Sequence, residues 1–314
     1  MNATTAVALN FPTWAYLLFG LFVMAMLAID LGVLNRKAHE VRFKEAVIWS
    51  AICVALAGLF NAWLYHKYGA HVAQEFLAGY LLEEALSVDN IFVFVMIFSY
   101  FKVQKMYQHR LLFWGIIGAL VLRGAMIWAG SALIARFDWI LYVFGIILIY
   151  TGVKMALTDT AQQDPTKSLV YRAARKLLPI TEEDHGQRFL VKKDGKWYVT
   201  VLFLVLLIIE TTDLLFALDS IPAVFAVTRS PFIIYTSNVF AILGLRALYF
   251  VLAGIMDMFR FLKYGLALVL VFVGLKMLLA HTRFEVPITA SLAIIATILL
   301  VSVFASVAAS RRES

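Results

Sequence analysis

Val201 to Val227 reads VLFLVLLIIETTDLLFALDSIPAVFAV, and the interpretation of the whole chain turns on it. The stretch exceeds the roughly 20 apolar residues that a helix needs to cross a bilayer core. Yet it carries Glu210, Asp213 and Asp219. A charged side chain at the bilayer centre costs roughly 2.5–3.5 kcal/mol on insertion scales, so three of them require a protein-lined or wet site. Glu210 and Asp213 are three apart and share one helix face. Pro222 has no N–H, which leaves the carbonyl of Leu218 without its helical donor beside Asp219 and Ser220. A freed carbonyl next to carboxylates is how broken transporter helices hold cations. The plainer account is a proline kink with acids paired to nearby bases, and three acids in one span weigh against it. The segment reads as half of a cation site.

The rest of the composition agrees with a membrane protein. Hydrophobic residues make up 63% of the 314, with a mean hydropathy of +0.87. The net charge of +7 would suggest nucleic acid if the basic residues lay on one surface. They fall instead in short loops beside apolar spans, a pattern of membrane topology rather than of phosphate binding. Cys53 is the only cysteine, so an internal disulfide and a C-x-x-C redox pair are both excluded. No charged residue precedes Asp30, so the basic n-region of a cleaved signal is missing and the first span is expected to stay.

Nine apolar stretches are long enough to span, near 14–34, 46–64, 76–100, 111–134, 139–157, 200–227, 233–255, 261–280 and 288–308. Trp14, Trp49, Trp63, Trp139, Trp197 and Tyr198 lie near their ends, where aromatic belts form. Alternate loops hold 19 basic residues on one side, among them Arg36, Lys37, Lys102, Lys105 and Arg260, against four on the other: Lys67, Arg136, Arg229 and Arg283. The positive-inside rule then puts the N-terminus outside and the C-terminus in the cytoplasm. The expected fold is an all-α polytopic membrane protein, a single transmembrane domain over residues 1–314 interrupted by one cytoplasmic basic loop at 158–199. In that loop SLVYRAARKLLP puts Leu169, Ala173 and Leu177 on one face, as in a short helix lying on the membrane surface. LVKKDGKWYV, turning at Asp194-Gly195, reads as a small hairpin. A solvated basic linker accounts for both segments as well.

An internal repeat links two distant parts of the chain. Aligning Asp89 of EEALSVDNIFVF with Asp219 of DLLFALDSIPAV also aligns Glu83 with Asp213, Asn90 with Ser220 and Ile91 with Ile221. Downstream, GALVLRGAMIWAG around Arg123 matches AILGLRALYFVLAG around Arg246, and GVKM at 152–155 matches GLKM at 274–277. Each copy covers three spans, 76–157 and 200–280, so the second enters the membrane from the opposite side. Inverted repeats of this kind form transporter sites at their interface near the midplane. The copies differ in that Phe92 stands where the second copy has Pro222.

The candidate site gathers Glu83, Glu84, Asp89, Glu210, Asp213 and Asp219, with Asp30 as a further acid and Arg123 and Arg246 as the bases on the spans. Such an excess of acid cannot stay dry and unpaired; a divalent cation, protons or both in turn must offset it. All six histidines lie in loops or near span ends, so the interior offers oxygen ligands. That set suits manganese, magnesium or calcium and disfavours zinc and copper(I).

The strings EEALSVDNIFVF, IETTDLLFALDSIPAVFAVTRSPFIIYTSNVFAILGLRALYF and GLKMLL resemble the signature of the TerC family, in particular its Alx-type bacterial members. The likeness runs from AIDLGVLNRK at 28–37 to the last span. It implies a multi-pass protein of the bacterial cytoplasmic membrane that exports manganese(II), a family linked to tellurite resistance and alkaline induction and once described as a redox modulator. The family's acidic motif maps onto Glu83, Asp89, Glu210, Asp213 and Asp219, with Asn90, Ser220, Leu218 and Asn238 of the same strings as supporting residues. Glu84 falls where the family pattern is less strict. Manganese and protons are then the expected passengers, membrane lipid the surroundings, and neither a resident cofactor nor nucleic acid is expected. The alternatives are a membrane redox modulator, for which no catalytic group is evident, and a scaffold docking a secretion partner through the 158–199 loop.

Overall fold

The computed structural model describes residues 11–29, 41–157, 169–181, 183, 185–193, 195–253, 261–280, 282, 284 and 286–313. Asp30, Arg36, Lys37, Asp194, Arg260 and Arg283 lie outside the described residues. The elements run α1 (Thr13–Ile29), α2 (Phe43–Tyr68), α3 (Ala70–Tyr100), α4 (Lys105–Arg136), α5 (Ile140–Leu157), α6 (Leu169–Leu177), β1 (Ile180–Thr181), β2 (Leu190–Lys193), β3 (Lys196–Thr200), α7 (Val201–Phe225), α8 (Pro231–Leu252), α9 (Leu262–Leu279) and α10 (Ile288–Glu313). Among the described residues, α2, α4, α5, α7, α8, α9 and α10 are long and apolar enough to cross a membrane. The chain is therefore an all-helical, multi-pass membrane protein. Of the other two long helices, α1 has 17 described residues, and α3 carries Glu75, Glu83, Glu84 and Asp89.

Several helices begin earlier or end later than hydropathy alone marks. α2 starts at Phe43 and α3 at Ala70, because hydrogen bonding carries a helix through polar residues that an apolar window rejects. One residue, Gly69, joins α2 to α3, with φ of 90° that only glycine adopts without strain. Thr200 caps α7 by accepting from the Phe203 N–H, and Pro231 opens α8 at the first turn, where no N–H is needed. Pro222 does not break α7. The helix continues through it to Phe225, so the expected interruption beside Asp219 reduces to one missing N–H in the last two turns. The Leu218 side chain is itself exposed.

Helix α8 is the hub, with 83% of its apolar window buried, against 11% for α10 and 17% for α2 at the periphery. It packs on α2, α3 and α4. Contacts between α3 and α8 climb together, Gly79 with Ser237, Glu83 with Asn238 and Phe98 with Tyr249, so the two helices are parallel. α4 and α7 are parallel by the same test, with Gly115 against Ile209, Arg123 against Asp213 and Gly130 against Phe225. α5 and α9 instead cross antiparallel at glycines. A Cβ on Gly145 would lie 2.9 Å from the carbonyl of Gly274, and one on Gly152 2.7 Å from that of Ala267. On the other flank, Phe19 of α1 and Phe60 of α2 stack into an aromatic cluster with Phe76, Phe232 and Phe240.

The long loop is more structured than a linker. β2 and β3 pair antiparallel with Lys193 opposite Lys196, as the hairpin reading expects, and β1 adds a parallel strand to β3. Lys193 donates to Glu183 at 2.7 Å, which holds the Glu183 carboxyl below its ordinary value. α6 forms where expected, but its inward face is different. Ala174 is buried with Tyr171 and Leu178 against α7, whereas Ala173 and Leu177 are exposed. Packing on a neighbouring helix, rather than on lipid headgroups, selects that face.

Candidate functional site

Arg123 sits near the middle of α4, 2% exposed, and organises the polar interior. Its Nε and Nη2 each donate at 3.0 Å to one oxygen of Asp213, a two-pronged contact that suits a planar guanidinium. Nη1 donates to Glu83 Oε2 at 2.8 Å and to Ser220 Oγ at 3.3 Å. The other Glu83 oxygen accepts from Asn238 Nδ2 at 2.6 Å. Four helices, α3, α4, α7 and α8, thus meet on one cation and two carboxylates, all buried. Each carboxylate oxygen has a donor, so this knot is a closed ion-pair network with a formal charge of −1, not an open bowl for a metal.

Asp89 and Asp219 lie about two turns further along α3 and α7, in opposite directions, because the two helices are antiparallel: Gly79 faces Val224, and Arg123 Nη1 joins Glu83 to Ser220. Asp219 accepts from Thr151 Oγ1 of α5 at 3.0 Å, with the Lys154 charge nearby. Asp89, 9% exposed, faces the charges of Asp219 and Lys263. Asn90, its neighbour, is buried. Thr151 was not legible as a site residue. It immediately precedes the repeated GVKM string, but the second copy has Val273 in its place.

The remaining acids stand apart. Glu84 points to the α2 and α8 side, accepting from Tyr80 Oη at 2.7 Å and resting against Gly244 and Cys53. Glu210 lies on the backbone of α4 at Gly118, where any side chain would collide with its carboxylate; its Oε2 has no hydrogen-bond partner among the described residues. Arg246 does not share the Arg123 knot, and its Nη1 lies 2.8 Å from His109 Nε2. The six carboxylates therefore do not converge as one shell. Among the described residues no three His, Cys, Asp or Glu side chains are grouped closely enough to hold a metal. The physical reason is Arg123, which draws Glu83 and Asp213 into an ion pair and leaves the rest distributed along the helices. Asp30 falls outside the described residues.

The family model described as integral membrane protein TerC family matches residues 68–314. An uncharacterised membrane protein of Myxococcus xanthus is 51% identical over 290 residues, covering 92% of this chain and 91% of its own. Another, from Rickettsia bellii, is 44% identical over 293 residues, covering 93% and 97%. A relative from Escherichia coli, provisionally named as the membrane-bound redox modulator Alx, is 48% identical over 293 residues, covering 90% and 91%. No solved structure matches the chain. Matched across more than half its length and aligned over at least 90% of it with these relatives, the chain belongs to the TerC family of integral membrane proteins.

Proposed function

We propose that this protein is a transporter, not an enzyme, that exports manganese(II) across the bacterial cytoplasmic membrane. It crosses the bilayer nine times, α1 and α3 included, with its N-terminus outside and its C-terminus in the cytoplasm. Residues 76–157 and 200–280 are inverted three-helix repeats meeting at α3 and α7. The observation that carries the reading is the contrast between two pairs of aligned acids there: Glu83 and Asp213 are both gripped by Arg123, and Asp89 with Asp219 is met by no arginine contact among those described. Asp89 and Asp219 supply the charge for a divalent cation, while the Thr151 hydroxyl, the Asn90 amide and the Leu218 carbonyl supply neutral oxygens within the same stretch. Glu83, Asp213 and Glu210 take part when Arg123 lets go. Oxygen ligation favours manganese over zinc, and magnesium is disfavoured by its reluctance to shed water. Crowded carboxylates do not all ionise together, so protons leave as metal enters and return as it departs.

The test is manganese uptake by inside-out vesicles with and without an opposing pH gradient. Faster uptake with the gradient, proton release on the metal-loading side and indifference to equimolar zinc are expected. Flux that ignores the gradient sinks the exchange of protons for metal, and strong zinc competition sinks the ligand argument. The name of the Escherichia coli relative favours a second reading, redox modulation. Against it stands Cys53, the only cysteine, buried on α2 with its thiol directed at the Leu243 carbonyl.

A further inference from the structure

Lys67 stands in the last turn of α2, beside the one-residue link to α3. Its ammonium lies 5.1 Å from the ring centre of Trp14, 5.5 Å from that of Trp63 and 5.8 Å from that of Tyr68. Three rings from α1 and α2 therefore box one exposed cation. Aromatic faces attract a cation through their quadrupoles but bring no net charge to cancel it. Arg229 is at the same end of the bundle, since Thr228 before it donates to Glu75 near the start of α3. Arg229 has Asp138 at 3.6 Å, whereas among the described residues no carboxylate contacts Lys67.

Trp14 and Trp63 also form one end of an apolar groove of about 560 Å³. That volume falls in the range of small-molecule sites, roughly 300–1,000 Å³. The groove follows α1 from Trp14 past Leu18 to Ala25, and α2 back past Leu59, over Phe240 of the hub helix α8. Leu18 and Leu59 are 60% and 67% exposed, so it is open on its outer side. The rise from Trp14 to Ala25 is roughly 16 Å at the helical spacing. Half of a hydrocarbon core about 30 Å thick is close to that length. The groove is thus one leaflet deep, with the tryptophans and the cation at its interfacial end.

A wholly apolar ligand would fill the groove and leave Lys67 unanswered, and a free anion would do the reverse. The chain's own residues 1–10 carry no acid. A lipid with a negative head group matches both features at once. We propose that the α1–α2 groove is a binding site for one anionic phospholipid, with an acyl chain against Phe240 and its phosphate at Lys67. The lipid ties the peripheral pair α1 and α2 to the hub. This site needs only the multi-pass fold and holds whatever ion the acids carry.

The test is native mass spectrometry of the delipidated full-length protein, titrated with dioleoylphosphatidylglycerol or dioleoylphosphatidylcholine. One phosphatidylglycerol is expected to bind about fivefold more tightly than phosphatidylcholine, the worth of one lysine beside an anionic head group. Lys67→Gln should bring the two lipids to parity while phosphatidylcholine binding stays at the parent level, which also shows the fold intact. Leu18→Trp, at an exposed position, fills the groove and should remove both. Arg229→Gln, at the same end but already paired, should leave the preference unchanged. Equal affinities in the parent, a preference that survives Lys67→Gln, or one lost equally with Arg229→Gln would mean unselective surrounding lipid and overturn the site. So would a two-chain mass that Leu18→Trp reduces to one chain, which gives the groove to a second copy. Lipid binding seen only after deletion of residues 2–10 gives it to that segment and also overturns the proposal.

Discussion

Two pairs of aligned acids lie on α3 and α7, and they are solved differently. Glu83 and Asp213 share Arg123, with Ser220 and Asn238 completing their hydrogen bonds. Asp89 and Asp219 have between them, among the described residues, one hydrogen bond from the Thr151 hydroxyl, with the charges of lysines 154 and 263 nearby. The difference teaches that acid count at membrane depth does not measure a site. A buried charge that is gripped from both sides holds helices together, whereas one left with a hydroxyl is available to something that comes and goes.

The comparison is most exposed to loss of the guanidinium. Arg123→Leu leaves two carboxylates uncompensated in the core and is expected to destabilise by about 3–5 kcal/mol. In detergent the variant should aggregate or melt far below the parent; a parent-like melting curve would show the knot to be ornamental. Asp213→Asn is the next step down. It removes one charged partner and one acceptor from Arg123, for an expected loss of about 1.5–3 kcal/mol in the same assay. Its effect on flux is then partly an effect on folding.

Asp89→Asn and Asp219→Asn should behave in the opposite sense. Each is expected to change stability by less than about 1 kcal/mol, as a near-isosteric swap outside an ion-pair network. Manganese flux in vesicles should nevertheless fall about tenfold or more, the loss of one charged ligand interaction. Parent-like flux in both variants would erase the distinction between the two pairs. The smallest effect belongs to Thr151→Val, which removes one neutral hydrogen bond worth about 1 kcal/mol. A few-fold rise in the manganese concentration for half-maximal flux is expected, with the melting curve unchanged.

How much of this could be read beforehand differs by residue. The polytopic helical fold was legible because nearly every apolar run, from α1 to α10, became helix. Helix ends such as Phe43 and Ala70 were not, since backbone hydrogen bonding extends past the apolar window. The repeat alignment placed Glu83 and Asp213 in corresponding positions, but it could not say that one arginine would take both. Counting six acids against two arginines treats charges as a sum, whereas a guanidinium with five donors selects two specific carboxylates. Glu84 illustrates a local partner that was readable in principle. Tyr80 stands four residues earlier on the same face, where helical spacing brings side chains together. Pro222 was overread, because one absent N–H near a helix end can be tolerated without a break.

The glycine crossing of α5 and α9 has a mechanical consequence. Backbones that touch at Gly145 and Gly274 have no side chains between them to slide or re-pack. On the proposed inverted-repeat reading this crossing maps onto itself, so it would be the fulcrum of any movement of one repeat against the other. A fulcrum must keep its neighbours throughout the stroke. Tethering α5 to α9 there should leave the cycle running, and tethering α3 to α7 should stall it.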